Sequence, residues 1–119
     1  MKYPVALLFV AAFGLRLAYA LCDFPVSPQD TADYDEIARN VLSGDGFVSR
    51  ENWFGYEMYS WRPPLYPFFL ALVYGVWGYS HFAVKVAQAL VGAGTVVLVW
   101  ALVRRLQPDA APLAGGLAL

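Results

Sequence analysis

Apolar and polar residues are separated into long blocks along this chain. Apolar runs cover Tyr3–Leu21 and Phe82–Val103, a shorter run covers Leu65–Trp77, and another begins near Ala110. A helix crosses the roughly 30 Å hydrocarbon core with about 20 apolar residues, whereas runs of about 10–14 are more often interfacial. The pattern predicts an all-α polytopic membrane protein fragment, with transmembrane helices at 1–22 and 82–103 and the start of a third at 109–119.

The polar stretch at residues 23–81 is predicted to form an external loop. Ser27 and Pro28 suit the start of a helix, and Gly44 and Gly46 suit its end. Between them, apolar residues recur at helical spacing: Tyr34, Ile37, Ala38, Val41 and Leu42. We therefore predict juxtamembrane helices at about 28–43 and 64–78, separated by an irregular, aromatic-rich stretch at 47–60.

Charged residues occupy the other side of the first of these helices. An amphipathic helix usually turns its charged side to water, so the simplest prediction is a solvated face that includes Asp33, Asp35 and Glu36. His81 is a lone histidine in a predicted turn, and its position gives no reason to assign it a function.

The composition agrees with a membrane location. Of the 119 residues, 60% are hydrophobic and 14% are charged, with a mean hydropathy of +0.51. Soluble domains are about half apolar and about a quarter charged. The net charge of −1 gives no indication of nucleic-acid binding. Cys22 is the only cysteine, which excludes an internal disulfide and a cysteine-ligated metal site.

The first apolar run has two interpretations. Lys2 and the small residues Ala18 and Ala20 resemble parts of a cleavable signal peptide, which would leave a secreted soluble module. Arg16 interrupts that pattern just before the supposed cleavage site, and in a retained helix it could extend to the outer interface. We favour the retained helix, with Lys2 on the cytoplasmic side.

The orientation of the later segments follows from length and charge. If Leu65–Trp77 lies on the outer surface, the next run crosses inward and Arg104 and Arg105 face the cytoplasm, as the positive-inside rule prefers. The chain stops within an apolar run that is too short to span the bilayer. We therefore expect an N-terminal fragment of a longer protein, inactive by itself.

Three residues could carry chemistry at the outer face of the membrane. Asp30 follows a predicted helix start, where it is either a simple capping acid or a carboxylate able to act as a general base. Arg62, stiffened by the following Pro-Pro pair, is either an interface residue or a phosphate ligand. Lys85 could assist Arg62 in binding phosphate. Asp33, Tyr34 and Asp35 are possible supporting residues, and the pattern favours no metal site.

Two motifs in order resemble the start of GT-C glycosyltransferases. The first is Asp30-x-x-x-Tyr34-x-x-Ile-Ala-Arg-Asn-x-Leu-x-Gly-x-Gly-Phe47, and the second is Arg62-Pro-Pro-Leu-Tyr-Pro-x-x-x-Ala-Leu-x-Tyr-x-x-x-Gly78. Together with Lys85 they are similar to the protein-O-mannosyltransferase and aminoarabinose-transferase superfamily. The closer likeness is to bacterial relatives of the dolichyl-phosphate-mannose-protein mannosyltransferase type.

This resemblance implies a reaction and a place for it. Such enzymes transfer a sugar from a polyprenyl-phosphate carrier to a protein, lipid or glycan acceptor on the non-cytoplasmic face, here that of a bacterial inner membrane. Asp30 falls at the position of their catalytic aspartate, and Arg62 at that of the basic residue near the lipid phosphate. The paired acidic signature of the protein mannosyltransferases is missing, which disfavours a protein acceptor. A small non-catalytic membrane anchor or partner subunit is the alternative. No cofactor is expected beyond the lipid-linked donor.

Cysteine labelling tests the predicted topology. In a Cys22→Ser background, Ser80→Cys should react with an impermeant maleimide from outside, because residue 80 is predicted to lie on the side of Asp30. Gln107→Cys should react only after the membrane is permeabilised. The opposite labelling pattern would show that Leu65–Trp77 crosses the bilayer.

Overall fold

The computed structural model describes residues 3–22, 28–52, 54–59 and 62–117, and for residues 3, 4, 28–31 and 108 it describes the backbone alone. Within these residues there are five α-helices: α1 (Tyr3–Leu21), α2 (Pro28–Ser43), α3 (Leu65–Trp77), α4 (His81–Leu106) and α5 (Ala111–Leu117). A short 3-10 helix, Pro108–Ala110, precedes α5. Two strands of two residues each, β1 (Val48–Ser49) and β2 (Met58–Tyr59), lie between α2 and α3. The all-α class predicted from the sequence fits these elements.

The chain divides into two compact units. The terminal unit comprises residues 1–23 and 85–119, and the central unit comprises residues 24–84. The continuous helix α4 contributes its first turn to the central unit and the rest to the terminal unit. Each unit is described by itself below.

Small residues allow close packing of helices in the terminal unit. Its core is formed by Ala12 of α1 with Ala93 and Val96 of α4, and partly buried apolar side chains of α1 pack against it. Arg16, further along α1, contacts Gly92, which precedes Ala93 in α4. Later residues of α1 thus meet earlier residues of α4, so the two helices run antiparallel.

The side chain of Arg16 packs against α4. It is half-buried and lies across Gly92, twelfth of the 26 residues of α4. Its extension to the outer interface stays a prediction. A β-carbon built at Gly92 would lie 2.6 Å from Nε and 2.7 Å from Cδ of Arg16. The glycine therefore makes room for the stem of the arginine.

Among the described helices, α4 is the one that is long and apolar enough to cross a membrane, with a hydropathy of 2.1. Val5–Leu21 and Leu65–Trp77 are shorter apolar helices. Large apolar side chains of α4 are exposed within the structure, including Leu98 at 71% and Leu102 at 58%. The polytopic organisation and the boundaries of the individual spans stay predictions.

The central unit is built on the packing of α2 against α3. Ile37 and Ala38 of α2 are fully buried, and α3 buries Pro67, Leu70, Ala71, Val73 and Tyr74. The helix α2 occupies the range for which the apolar periodicity predicts one. Its proposed N-cap, Ser27, lies outside the described residues. Gly44 and Gly46 after its end have φ of 87° and 88°, in the left-handed region that favours glycine.

The stretch after α2 is more regular than the sequence indicated. β1 pairs antiparallel with β2, with Val48 opposite Tyr59 and Ser49 opposite Met58. Val48 and Ser49 are both fully buried. The alternation that identifies a strand cannot be recognised in two residues, which is why the sequence pattern predicted an irregular segment there.

Two glycines of α4 test the packing of the terminal unit. Gly92→Ala should leave the protein about 1–3 kcal/mol less stable than Gly94→Ala does, because the new methyl group overlaps the stem of Arg16. Gly94→Ala is the matched control, since nothing lies within 4 Å of a β-carbon there. It should be neutral or stabilising by up to about 1 kcal/mol. Thermal unfolding of the detergent-solubilised protein measures both, and equal behaviour of the two variants would contradict the contact.

Candidate functional site

Three carboxylates of α2 are buried. The exposed fractions of Asp33, Asp35 and Glu36 are 7%, 6% and 6%. The prediction of a solvated acidic face was therefore wrong for these residues. Burying a carboxylate is costly unless it is paired or hydrogen-bonded, and each of the three has partners from a different segment of the central unit.

Asp33 pairs with Arg62, the residue that precedes Pro63 and Pro64 at the start of α3. The Oδ2 atom of Asp33 accepts a hydrogen bond from Nη2 of Arg62 at 2.9 Å, in an ion pair whose side chains are 9% and 24% exposed. The Arg62 guanidinium also lies 5.2 Å from the ring centroid of Tyr34. A cation over an aromatic face is attracted by the quadrupole of the ring. Asp33 and Tyr34, neighbours on α2, thus orient Arg62 together.

Tyr34 is itself held by α3. Its ring meets that of Tyr66 edge-on, with centroids 5.1 Å apart and an interplanar angle of 84°. Such T-shaped pairs are a favoured aromatic geometry. The arginine therefore rests on a side chain with a defined orientation.

Asp35 is hydrogen-bonded to the corner between α3 and α4. Its Oδ1 accepts a hydrogen bond from the hydroxyl of Tyr74. Its Oδ2 accepts one from the hydroxyl of Tyr79 at 3.3 Å and lies 2.9 Å from Nε2 of His81. Burial, and after it the hydrogen bond to Asp35, raises the pKa of Tyr74 well above its ordinary value. Burial also raises the pKa of Tyr79, with the charge of Asp35 as the next cause.

His81 therefore has a role that the sequence did not indicate. It is the first residue of α4, and with Tyr79 it ties the start of this helix to α2. The two partners Asp35 and His81 are 46 residues apart in the chain. No local pattern could have connected them, because the contact depends on how α3 folds back against α2.

Glu36 holds the segment that contains β1. Its Oε2 accepts a hydrogen bond from Oγ of Ser49 at 2.9 Å, and its Oε1 accepts bonds from the backbone N–H groups of Arg50 at 2.7 Å and Glu51 at 3.1 Å. A buried carboxylate with three donors is well satisfied. We assign Glu36 a structural role.

The remaining candidate residues have less defined surroundings. Asp30 is the third residue of α2, one turn before Asp33, and its side chain lies outside the described residues. Lys85 is half-buried in α4, one turn after His81. Arg62, Asp33 and Tyr34 are thus brought together, whereas Asp35 contacts a different set of residues. In the described part of the chain, no group of three or more potential ligands could hold a metal ion.

The match to a protein family decides how this arrangement is interpreted. The family model for dolichyl-phosphate-mannose-protein mannosyltransferase covers residues 61–119. This segment of the chain is similar to the mannosyltransferase family. The match confirms the resemblance deduced from the motifs and supports a mannosyltransferase-like glycosyltransferase. No curated protein and no solved structure matches the chain.

The segment that matches the family model includes only part of the candidate site. It contains Arg62, His81 and Lys85, whereas α2 with Asp30 and Asp33 lies before it. The structure nevertheless joins the two parts, because Arg62 of the matched segment is held by Asp33 and Tyr34 of α2.

Asp35 should be more important for stability than an exposed acid. Asp35→Asn places an amide N–H₂ among hydroxyl and imidazole donors, so we expect a loss of about 1–3 kcal/mol. Asp45→Asn, at an exposed position after α2, should change stability by less than about 0.5 kcal/mol. Thermal unfolding of the purified protein compares them. If Asp35→Asn were as stable as Asp45→Asn, the hydrogen bonds at the α3–α4 corner would contribute nothing.

Proposed function

We propose that this chain acts in an integral-membrane glycosyltransferase that moves a sugar from a polyprenyl-phosphate carrier to an acceptor hydroxyl on the non-cytoplasmic face, in bacteria that of the inner membrane. The observation that carries the proposal is the orientation of Arg62 by Asp33 and Tyr34 at the start of the segment that matches the mannosyltransferase family. A guanidinium group in a defined orientation is well suited to bind phosphate oxygens.

The reaction needs few groups from the protein. The acceptor oxygen forms a bond to the anomeric carbon of the sugar, and the bond from that carbon to the phosphate oxygen breaks. The electron pair leaves with the lipid phosphate, and the hydroxyl proton passes to a base. In this proposal Asp30 is the base, and Arg62, assisted by Lys85, stabilises the negative charge that develops on the phosphate.

The arrangement of the terminal unit supports the proposed side of the membrane. Because α1 and α4 are antiparallel, the end of α1 and the start of α4 lie at the same end of the pair. Arg104 and Arg105, in the last turn of α4, lie at the opposite end, where the positive-inside rule favours the cytoplasm.

The partners in this proposal are the lipid bilayer, the lipid-linked sugar and a protein, lipid or glycan acceptor. Apolar side chains on the surface of α3 support contact with lipid: Leu65 is 83% exposed, Leu72 is 67% exposed and Trp77 is 68% exposed. Exposed apolar surface of this kind marks a membrane or partner contact. We propose that α3 rests in the outer interface beside the site.

Asp30→Asn tests the catalytic proposal. Removing a general base should lower turnover by about 10²–10⁴-fold with normal expression and folding. A residue that only caps α2 predicts nearly normal turnover and a stability loss below about 2 kcal/mol. Sugar transfer from a polyprenyl-phosphate donor is measured in reconstituted vesicles that contain the full-length gene product.

The control in this assay is Asp45→Asn, because Asp45 is exposed whereas Asp33 and Asp35 are buried. Its turnover should stay within an order of magnitude of wild type. Normal turnover in Asp30→Asn would reject Asp30 as the base.

A further inference from the structure

The arginine proposed to bind the donor phosphate already lies against a buried negative charge. Asp33 is 2.9 Å from Nη2 of Arg62, and its side chain is 9% exposed. A residue that only attracted phosphate would be expected to keep its charge uncompensated. The function of this carboxylate beside an anion-binding arginine therefore needs an explanation.

Asp33 is expected to stay in place when Arg62 binds an anion. If the phosphate displaced Asp33, the aspartate would be left as a buried charge without its arginine partner, which is strongly unfavourable. The phosphate and Asp33 therefore share the guanidinium group. The guanidinium group then forms one hydrogen bond of about 2.9 Å to Asp33 and another to the phosphate. With the width of that group added, a bound phosphate oxygen lies within about 8 Å of the Asp33 carboxylate. This is no further than the screening length of about 8 Å in physiological salt.

The charge of the carrier phosphate changes during the proposed reaction. The sugar donor is a phosphodiester with one negative charge. After transfer the carrier is a phosphate monoester, which carries about −1.5 to −2 at neutral pH because its second pKa is near 6. The added charge arises close to Asp33. Arg62, which is nearer to the phosphate, attracts the product more strongly than the donor, and Asp33 opposes part of this preference because it repels the product more strongly.

Resting on the proposed function, we propose that Asp33 is a specificity-determining residue of the phosphate site. It reduces the preference that Arg62 alone would give to the doubly charged polyprenyl phosphate product over the singly charged phosphodiester donor. At an effective dielectric constant of about 20, one extra charge at this distance changes affinity on the order of ten- to thirtyfold. The ion pair thereby lets the site attract the donor and release the spent carrier.

Two soluble probes measure this selectivity. One is a short-chain polyprenyl phosphate, whose charge rises between about pH 5 and about pH 7.5, and the other is its monomethyl ester, which stays singly charged. Binding of both to the purified polypeptide is measured at the two pH values. The ester serves as the reference, because any titration of the protein itself acts on both probes.

As the pH rises, the affinity for the monoester relative to the ester should increase about tenfold or more further in Asp33→Asn than in the wild-type protein, because Asp33 no longer opposes the added charge. Asp33→Glu should behave as the wild type because the charge is retained. Retained binding of the ester shows that each variant is folded. If the relative affinity for the monoester rises by the same factor in Asp33→Asn and in the wild-type protein, the proposal is overturned.

Three controls distinguish a failure of this proposal from a failure of the proposed function and from effects of other ionisable side chains. Arg62→Ala should lose both probes, and unchanged binding of both would reject the phosphate site itself. If Arg62→Ala loses both probes while Asp33→Asn keeps the wild-type pH dependence, only the role of Asp33 fails. His81→Gln should keep that dependence, because His81 contacts Asp35 and not the Asp33–Arg62 pair. Asp45→Asn, at an exposed acid, should also keep it.

Discussion

Three buried carboxylates on one helix organise the central unit. An ionised carboxyl group in the interior is tolerated only when donors surround it, and α2 meets this condition three times with three different segments. Asp33 holds Arg62, three residues before α3, Asp35 holds the corner between α3 and α4, and Glu36 holds the segment that contains β1. Apolar contacts between α2 and α3 supply close packing, and the carboxylates determine which segment lies where.

Helix α2 directs Asp33 and Asp35 towards two different groups of partners. Successive residues of an α-helix are about 100° apart, so Asp33 and Asp35 point to nearly opposite sides. The side of Asp33 faces Arg62 and the proposed phosphate site, whereas the side of Asp35 is joined to the tyrosines and His81. A change in the hydrogen bonds at the α3–α4 corner can therefore alter stability without touching the charged pair directly.

The sequence was sufficient to predict features that depend on the local pattern of residues. The apolar stripe from Tyr34 to Leu42 gave the position of α2, and the motif that begins at Arg62 led to the family that the comparison supports. The predictions failed where the burial of a side chain depends on residues that are distant in the sequence. Asp33, Asp35 and Glu36 look like an ordinary solvated face until residues 13–46 positions away fold against them. A two-stranded pairing as short as β1 and β2, and a histidine whose partner lies on another helix, likewise leave no local signal.

The contact between Arg16 and Gly92 implies a constraint on how this protein can change in evolution. The arginine stem fills the space that a side chain at position 92 would need. The two positions therefore share one volume: a larger residue at 92 is compatible with a shorter one at 16, and an arginine in this position at 16 favours glycine at 92. Among relatives that keep the antiparallel helix pair, these positions are expected to co-vary although they lie far apart in the sequence.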